Sequence, residues 1–274
     1  MRKYIYLYVL FLALVSCQDV IEVETPTGEV RLNIDAHFRV FSEERITGKV
    51  ILTETANFFE EEIPKVSGAT VFVTDKTTGD VYEFLETGFG TGVYEAQDLG
   101  FLNDFETTFE LTVVNNEDSH VAEANLIPTV PIDRIAQGDL QVFSDEDLEL
   151  IVFITDTPNE VNYYLFDFGF DLYEPIDDRF FDGNTFEFSF LYTEDDEVDL
   201  QPGDVVTITN DGVDKQFYDY IELLLEQTQG GGPFATAPAT VRGNFINTVD
   251  NANYALGYFR ISGASALTFT IQER

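Results

Sequence analysis

Few residues in this sequence have the types and spacing that enzymes use for nucleophilic or acid–base chemistry. The two histidines, His37 and His120, lie in separate predicted strands. They cannot form a histidine-rich zinc site, although a mixed site with carboxylates stays open. The sequence contains no HExxH, GxSxG or SxxK motif and no glycine-rich phosphate loop. We therefore predict that the protein is not an enzyme and uses no cofactor.

Carboxylates are the most abundant charged groups: 51 Asp and Glu residues outnumber 14 Lys and Arg, and the net charge is −37. This charge excludes nucleic acid as a partner, because binding it depends on basic residues that neutralise phosphates. Two acidic clusters, residues 145–147 and 194–197, lie in predicted loops without the spacing of an EF-hand. A glycosidase would need two carboxylates at a set separation, which a sequence does not reveal. We predict no metal site, and calcium or a cationic partner stays open.

The single cysteine, Cys17, has a more specific setting. A basic pair at residues 2–3 precedes an uncharged run, residues 4–15, which is too short to span a membrane and is typical of a signal peptide. The LVSC segment at residues 14–17 resembles the lipobox of bacterial lipoproteins, in which diacylglycerol is attached to the cysteine. We predict a lipoprotein signal peptide over residues 1–17, lipidation of Cys17, and an acidic tether over residues 18–28.

Alternating apolar residues predict a mainly β protein. A series of short predicted strands in residues 29–127 favours an immunoglobulin-like β-sandwich. The IPTVP segment, residues 127–131, suits a domain boundary because proline cannot join a central strand. Residues 131–274 predict a second, β-sandwich-like domain with one amphipathic helix near residues 215–228. A GGGP segment follows that helix and ends it.

Short turn and strand motifs follow one another in a set order along the second predicted domain. The segments are DTPNEVNYY at 156–164, FFDGN at 180–184, GD at 203–204, GN at 243–244 and LGYF at 256–259. The first predicted domain adds a GA-V–V-D stretch at 68–75 and GVY at 92–94, and the helix carries Tyr218, Tyr220 and Leu223. Together with the lipobox, this ordered series resembles a family of Bacteroidota outer-membrane lipoproteins of unknown function (DUF4249-type). NDFE at 103–106 departs from the family pattern, which has a glycine-led strand entry there.

The resemblance implies an outer-membrane lipoprotein, often encoded near TonB-dependent transporters. Acidic residues soon after Cys17 (Asp19, Glu22 and Glu24) look like export signals that place such lipoproteins on the outer face of the cell. The leading hypothesis is a non-enzymatic, surface-exposed partner of a TonB-dependent transporter in nutrient uptake. The alternative is a structural or adhesive envelope protein that binds another surface protein or calcium.

Ligand or partner contacts are expected on loops of the second domain, because loops on a rigid scaffold usually carry binding. The sequence contains 26 Phe and 13 Tyr but no Trp. The absence of tryptophan weakens a carbohydrate-binding interpretation, although tyrosine could take its place. The predicted contact residues are Tyr163, Tyr164, Phe180, Phe181 and Asp182.

Overall fold

The computed structural model describes residues 28–56, 62–140, 147–193, 196, 198–229 and 240–273. The predicted signal peptide, the predicted lipidation site Cys17, most of the predicted tether and the GGGP segment lie outside the described residues, as do most residues of the two acidic clusters. Within the described residues the chain forms fifteen strands and one α-helix, with a short 3₁₀ turn at Gly100–Leu102. The elements are β1 Leu32–Ser42, β2 Arg45–Glu54, β3 Thr70–Asp75, β4 Val81–Glu86, β5 Val93–Glu95, β6 Thr108–Asn115, β7 Asp118–Ile127, β8 Ile132–Gln137, β9 Leu148–Thr155, β10 Tyr163–Asp167, β11 Tyr173–Asp177, β12 Thr185–Tyr192, β13 Val205–Val213, α1 Lys215–Gln229, β14 Ile246–Asn247 and β15 Leu256–Thr270.

The main sheet closes into a barrel. Its twelve strands run in the order β11-β10-β13-β15-β1-β2-β5-β4-β3-β6-β7-β14. An additional pairing of β15 with β7 closes eight of these strands, from β15 to β7, into a mixed barrel. β15 is parallel to both of its barrel neighbours: Gly257 pairs with Ile34 in β1, and Ile261 pairs with Leu126 in β7. The prediction of a mainly β protein is confirmed.

The immunoglobulin-like sandwich predicted for residues 29–127 is replaced by this barrel, and the reason is the C-terminal strand. Without β15, the strands β1 and β7 would each present an open edge of unpaired N–H and C=O groups. β15 fills the gap between them from the far end of the sequence. It therefore belongs both to the barrel and to the part of the sheet that lies beyond it.

Alternation along β1 determines which side chains enter the barrel. Successive side chains of a strand point to opposite faces. Ile34, Ala36 and Phe38 are fully buried in the barrel core, and Val40 is nearly so. The intervening side chains, Asn33, Asp35, His37 and Arg39, lie on the outer face and are partly exposed.

The second half of β15 begins a layered structure outside the barrel. Its residues from Ala264 to Thr270 pair with β13, and the sheet continues through β10 to β11. The three-stranded sheet β12-β9-β8 packs on one face of this extension. Apolar side chains from both layers form a second core, which includes Leu150 and Val152 from the small sheet and Phe166 and Ile208 from the extension.

The helix α1 covers the opposite face of the extension and confirms the single helix predicted near residues 215–228. The Asp214 carboxylate accepts the Phe217 backbone N–H at 2.7 Å, an N-terminal cap that satisfies one of the free donors of the first turn. Phe217, Tyr218 and Ile221 pack on Leu165 of β10, Val213 of β13 and Tyr258 of β15. In the described part of the chain, no helix is both long and apolar enough to cross a membrane.

Candidate functional site

Some of the predicted contact residues are buried and support the loops, and the others lie nearer the surface. Tyr164 is buried, and its hydroxyl donates a hydrogen bond to the carboxylate of Asp156. Asp156 also accepts the backbone N–H of Gly183 at 2.9 Å. Burial, reinforced by the Asp156 carboxylate, raises the pKa of Tyr164 well above its ordinary value. Phe181 is buried and stacks on Phe186 with ring centroids 4.1 Å apart. Tyr164 and Phe181 therefore hold the loops in place.

The other predicted contact residues lie nearer the surface. Tyr163 packs against Tyr218 of α1, with ring centroids 5.1 Å apart. Asp182 accepts the Asn159 backbone N–H at 2.7 Å and so ties the two loops together. Phe180 is 92% exposed, and Val161 on the adjacent loop is 75% exposed. Of the predicted set, Phe180 thus presents the most apolar surface to a partner.

Removing the Tyr164 hydroxyl is expected to destabilise the fold. Tyr164→Phe leaves the buried Asp156 carboxylate with one hydrogen-bond donor fewer, which costs about 1–3 kcal/mol of unfolding free energy. Urea denaturation at pH 7 measures the loss. Tyr163→Phe is the matched control, because the Tyr163 hydroxyl bonds to none of the described residues; its effect should stay within about 0.5 kcal/mol. Equal losses in the two variants would contradict the assigned role of Tyr164.

A groove of about 280 Å³ lies between α1 and the outer face of the barrel. Its floor is formed by the outward side chains of β1 and by neighbouring residues of β15, and its walls by α1, β10 and β11. We call it the helix groove. It is lined by Asn33, Asp35, His37, Arg39, Leu165, Tyr173, Phe217, Tyr220, Ile221, Leu224, Gly257, Tyr258 and Arg260.

Two arginines of the floor are held by carboxylates, of which Asp211 is fully buried. Arg39 Nε donates to both carboxylate oxygens of Asp211 at 2.9 Å, and Arg39 Nη2 donates to Asp167 at 2.7 Å. Arg260 donates to Asp211 at 3.0 Å and to the Ser262 hydroxyl at 2.7 Å. Burial lowers the pKa of Arg39, but the two carboxylates outweigh it, so the pKa lies above its ordinary value. Both guanidinium groups are thereby fixed in position.

A histidine–carboxylate pair occupies the more open part of the floor. His37 Nδ1 lies 3.1 Å from a carboxylate oxygen of Asp35, and both side chains are nearly half exposed. Burial raises the pKa of Asp35, but the hydrogen bond and charge of His37, with the charges of Arg260 and Lys49, hold it below its ordinary value. Asp35 is therefore an ionised hydrogen-bond acceptor at neutral pH.

Aromatic side chains form much of the wall and the adjoining part of the floor. The Phe217 ring meets Tyr258 edge to face, with centroids 4.9 Å apart, and Tyr220 lies 5.1 Å from Tyr258. Burial raises the pKa of Tyr173, Tyr220 and Tyr258, so all three remain neutral phenols at physiological pH. Their hydroxyls bond to none of the described protein groups and are available to a ligand.

The helix groove continues along the barrel wall. A second cavity of about 250 Å³ shares His37 and Arg39 with it and adds Thr47, Lys49 and Glu95. A larger cavity of about 410 Å³ lies at the barrel end, where its lining is acidic, polar or aliphatic, with Glu43, Glu44 and Asp98 among the lining residues. The candidate site is the helix groove, because it combines fixed charges with an aromatic wall.

The described residues contain no group of three or more His, Cys, Asp or Glu that could hold a metal ion. Most residues of the acidic clusters 145–147 and 194–197 lie outside the described part, so calcium binding there stays an open hypothesis. His120, the other histidine, is buried, and one of its ring nitrogens lies 3.2 Å from the Asn253 carbonyl oxygen, away from the helix groove.

Sequence reasoning missed the helix groove. The alternation in β1 does indicate that Asp35, His37 and Arg39 share an outward face, which is an unusual cluster in so acidic a chain. The partners of Arg39 were not predictable, because Asp167 and Asp211 are separated from it by 128 and 172 residues.

Comparison with known proteins places the chain in a family. A family model described as a domain of unknown function (DUF4249) matches residues 19–267. The chain belongs to the DUF4249 family. A search of curated proteins found no match.

In this DUF4249 chain, the GN and LGYF segments help to position β15, the strand that forms the groove floor together with β1. Asn244 Nδ2 donates to the Phe259 carbonyl oxygen at 2.8 Å, and Asn244 Oδ1 accepts the Phe259 N–H at 2.9 Å. Gly257 has a φ of +88° and lies so close to β1 that a Cβ atom would be 2.1 Å from the Ile34 carbonyl oxygen. Asn244 thus holds the Phe259 backbone of β15, and Gly257 lets β15 approach β1 closely. Tyr258 and Arg260, on the same strand, line the groove.

Proposed function

We propose that this protein is a lipid-anchored, surface-exposed outer-membrane protein that binds a small ligand in the helix groove and serves a TonB-dependent transporter in nutrient uptake. The observation that carries the binding role is the groove itself, which is preformed by fixed side chains. Arg39 and Arg260 are held by Asp211, and rigid positioning of polar groups in a pocket lowers the entropic cost of binding.

The groove chemistry favours binding without catalysis. Its arginines are engaged by carboxylates, so they act as fixed donors. The described residues that line the groove include no Ser, Thr, Cys or Lys as a nucleophile. The pair His37 and Asp35 lies on the floor, where both groups can hydrogen-bond a ligand.

The N-terminal sequence supports the proposed attachment and orientation. The lipobox resemblance at Cys17 supports an acylated anchor, and stable anchoring needs more than one acyl chain. Acidic residues after Cys17 support exposure on the outer face. Phe180 and Val161 form an exposed apolar tip on two neighbouring loops, a suitable contact for a transporter.

Purification from native membranes tests this proposal. We expect the C-terminally tagged protein to co-purify a TonB-dependent transporter in mild detergent. Cys17→Ser should move nearly all of the protein from the membrane to the soluble fraction, because the lipid anchor is lost. Phe180→Ser should keep the protein in the membrane and reduce recovery of the transporter. Recovery of membrane-bound wild-type protein without any transporter would refute the partnership.

The same experiment distinguishes a second candidate function, a structural or adhesive envelope protein. The exposed side chains of Phe180 and Val161 favour it, because exposed apolar groups on neighbouring loops are suited to protein contacts. Recovery of another surface protein in place of a transporter, with loss in Phe180→Ser, would support this alternative.

A further inference from the structure

The fixed charges of the helix groove nearly cancel. Arg39 and Arg260 are paired with Asp167 and Asp211. The remaining charged group of the floor is the carboxylate of Asp35, which lies beside His37. An anionic ligand would meet the Asp35 carboxylate, and a cationic ligand would meet two guanidinium groups. The floor therefore favours a ligand without net charge, although the protein as a whole carries −37.

The groove offers hydrogen-bond donors and acceptors side by side. Arg39 Nη1 and the His37 ring nitrogen that faces away from Asp35 bond to no described protein group. One carboxylate oxygen of Asp35 is likewise without a described partner, and the wall tyrosines add hydroxyls that both donate and accept. Ligand hydroxyl groups match this mixture, because each can donate one hydrogen bond and accept others.

The aromatic wall suits the apolar face of a saturated ring. Aromatic rings carry negative charge on their faces, which attracts weakly positive C–H groups. Tyr220 and Tyr173 are partly exposed at the groove, next to the buried rings of Phe217 and Tyr258. A sugar ring presents C–H groups on one face and hydroxyls at its edge, so it can contact the wall and the floor together.

The size of the groove indicates a short ligand. Its volume of about 280 Å³ lies just below the range of roughly 300–1,000 Å³ that is usual for pockets holding drug-sized ligands. The adjoining cavity of about 250 Å³ extends the site past Lys49 and Glu95. Together they have room for one ring in the helix groove and a further unit beside it.

We infer that the helix groove binds a neutral saccharide unit, with its hydroxyls on Asp35, His37 and Arg39 and its ring against Tyr220. This inference deepens the ligand-binding role proposed above and rests on it. Tyrosine here takes the place of the tryptophan that the sequence lacks.

Ligand-observed NMR on the intact lipidated protein in a sugar-free detergent tests the inference. The probes are glucose, galactose, mannose, N-acetylglucosamine and maltose, with glucuronate and glucosamine as charged rings of the same size. At least one neutral probe should bind, and the charged ring related to it should bind about tenfold more weakly, the equivalent of about 1.4 kcal/mol. No binding by any neutral probe at millimolar concentration, or tighter binding of a charged ring, would overturn the inference.

Variants assign the binding to this groove. Asp35→Asn and Tyr220→Ala should each lower the affinity for the neutral probe about tenfold. Asp35→Asn removes one hydrogen bond to a charged acceptor, and Tyr220→Ala removes one ring contact. Phe89→Ala, at a fully exposed side chain that lines neither cavity, should leave the affinity unchanged. Thermal unfolding of each variant confirms that it is folded, and unchanged affinity in folded Asp35→Asn and Tyr220→Ala would place the sugar elsewhere and refute the site.

The two proposals fail separately. Co-purification of a transporter with a protein that binds no neutral probe overturns the saccharide inference and leaves the transporter partnership standing. Saccharide binding without a transporter supports the groove assignment and overturns the partnership.

Discussion

Asp211→Asn is expected to lower the free energy of unfolding by about 3–5 kcal/mol, because removal of one partner leaves buried charges uncompensated. The Asp211 side chain is fully buried and contacts both Arg39 and Arg260. An amide at this position cannot balance two guanidinium groups. Urea denaturation at pH 7, with the slope compared between variants, measures the loss.

A surface pair provides the control for this substitution. Asp219 pairs with Lys215 at 2.7 Å across one turn of α1, and both side chains are more than half exposed. The same chemical change, Asp219→Asn, should cost no more than about 0.5 kcal/mol, since exposed helix pairs contribute little. A loss below 1 kcal/mol for Asp211→Asn, similar to that of the control, would show that the buried network does not stabilise the fold.

The raised pKa of Arg39 sets the pH range of this contribution. A group whose pKa is raised in the folded state stabilises the fold at every pH below its unfolded pKa and loses that effect only as the pH rises through the folded value. For Arg39, whose pKa already exceeds the ordinary arginine value, this contribution is therefore retained through neutral pH.

Gly257→Ala is expected to cost about 2–5 kcal/mol, the sum of about 1–2 kcal/mol for a left-handed backbone and about 1–3 kcal/mol for a forced contact. The φ of Gly257 is +88°, and a Cβ atom would lie 2.1 Å from the Ile34 carbonyl oxygen. Relief of that contact requires β15 to move away from β1, which also opens the groove floor. Urea denaturation measures the stability.

Gly79→Ala separates the two contributions. Gly79 has a similar φ of +81°, but nothing lies within 4 Å of its would-be Cβ atom. This variant should therefore lose only the unfolding free energy that the left-handed backbone conformation costs, about 1–2 kcal/mol. Equal losses at the two positions would show that the approach of β15 to β1 is not tight, contrary to the structure.

Much of the secondary structure was predictable because it depends on neighbours in the sequence. The alternation from Ile34 to Val40 predicts a half-buried strand, and the apolar stripe of Phe217, Ile221 and Leu224 predicts the helix. The ordered motifs likewise indicated the family. The loop residues were predictable only as a group: Tyr164 and Phe181 turned inward, whereas Phe180 stayed at the surface.

The barrel and the groove were not predictable from local patterns. The residue pattern of β15 predicts that it pairs with other strands. That these strands are β1 and β7 depends on which strand edges remain unpaired after every other strand has paired. A strand forms the same backbone hydrogen bonds with any neighbouring strand. The alternation of apolar and polar residues therefore predicts a strand but does not indicate which strand it pairs with.

Patterns in the sequence were thus enough to predict a mainly β chain with one helix, its family and a lipid anchor at Cys17. The three-dimensional fold was needed to reveal that β15 closes a barrel and that Arg39, Asp211 and Arg260 meet beneath α1. The tendency of a segment to form a strand depends on nearby residues, whereas strand partners and buried ion pairs depend on contacts between residues far apart in the sequence.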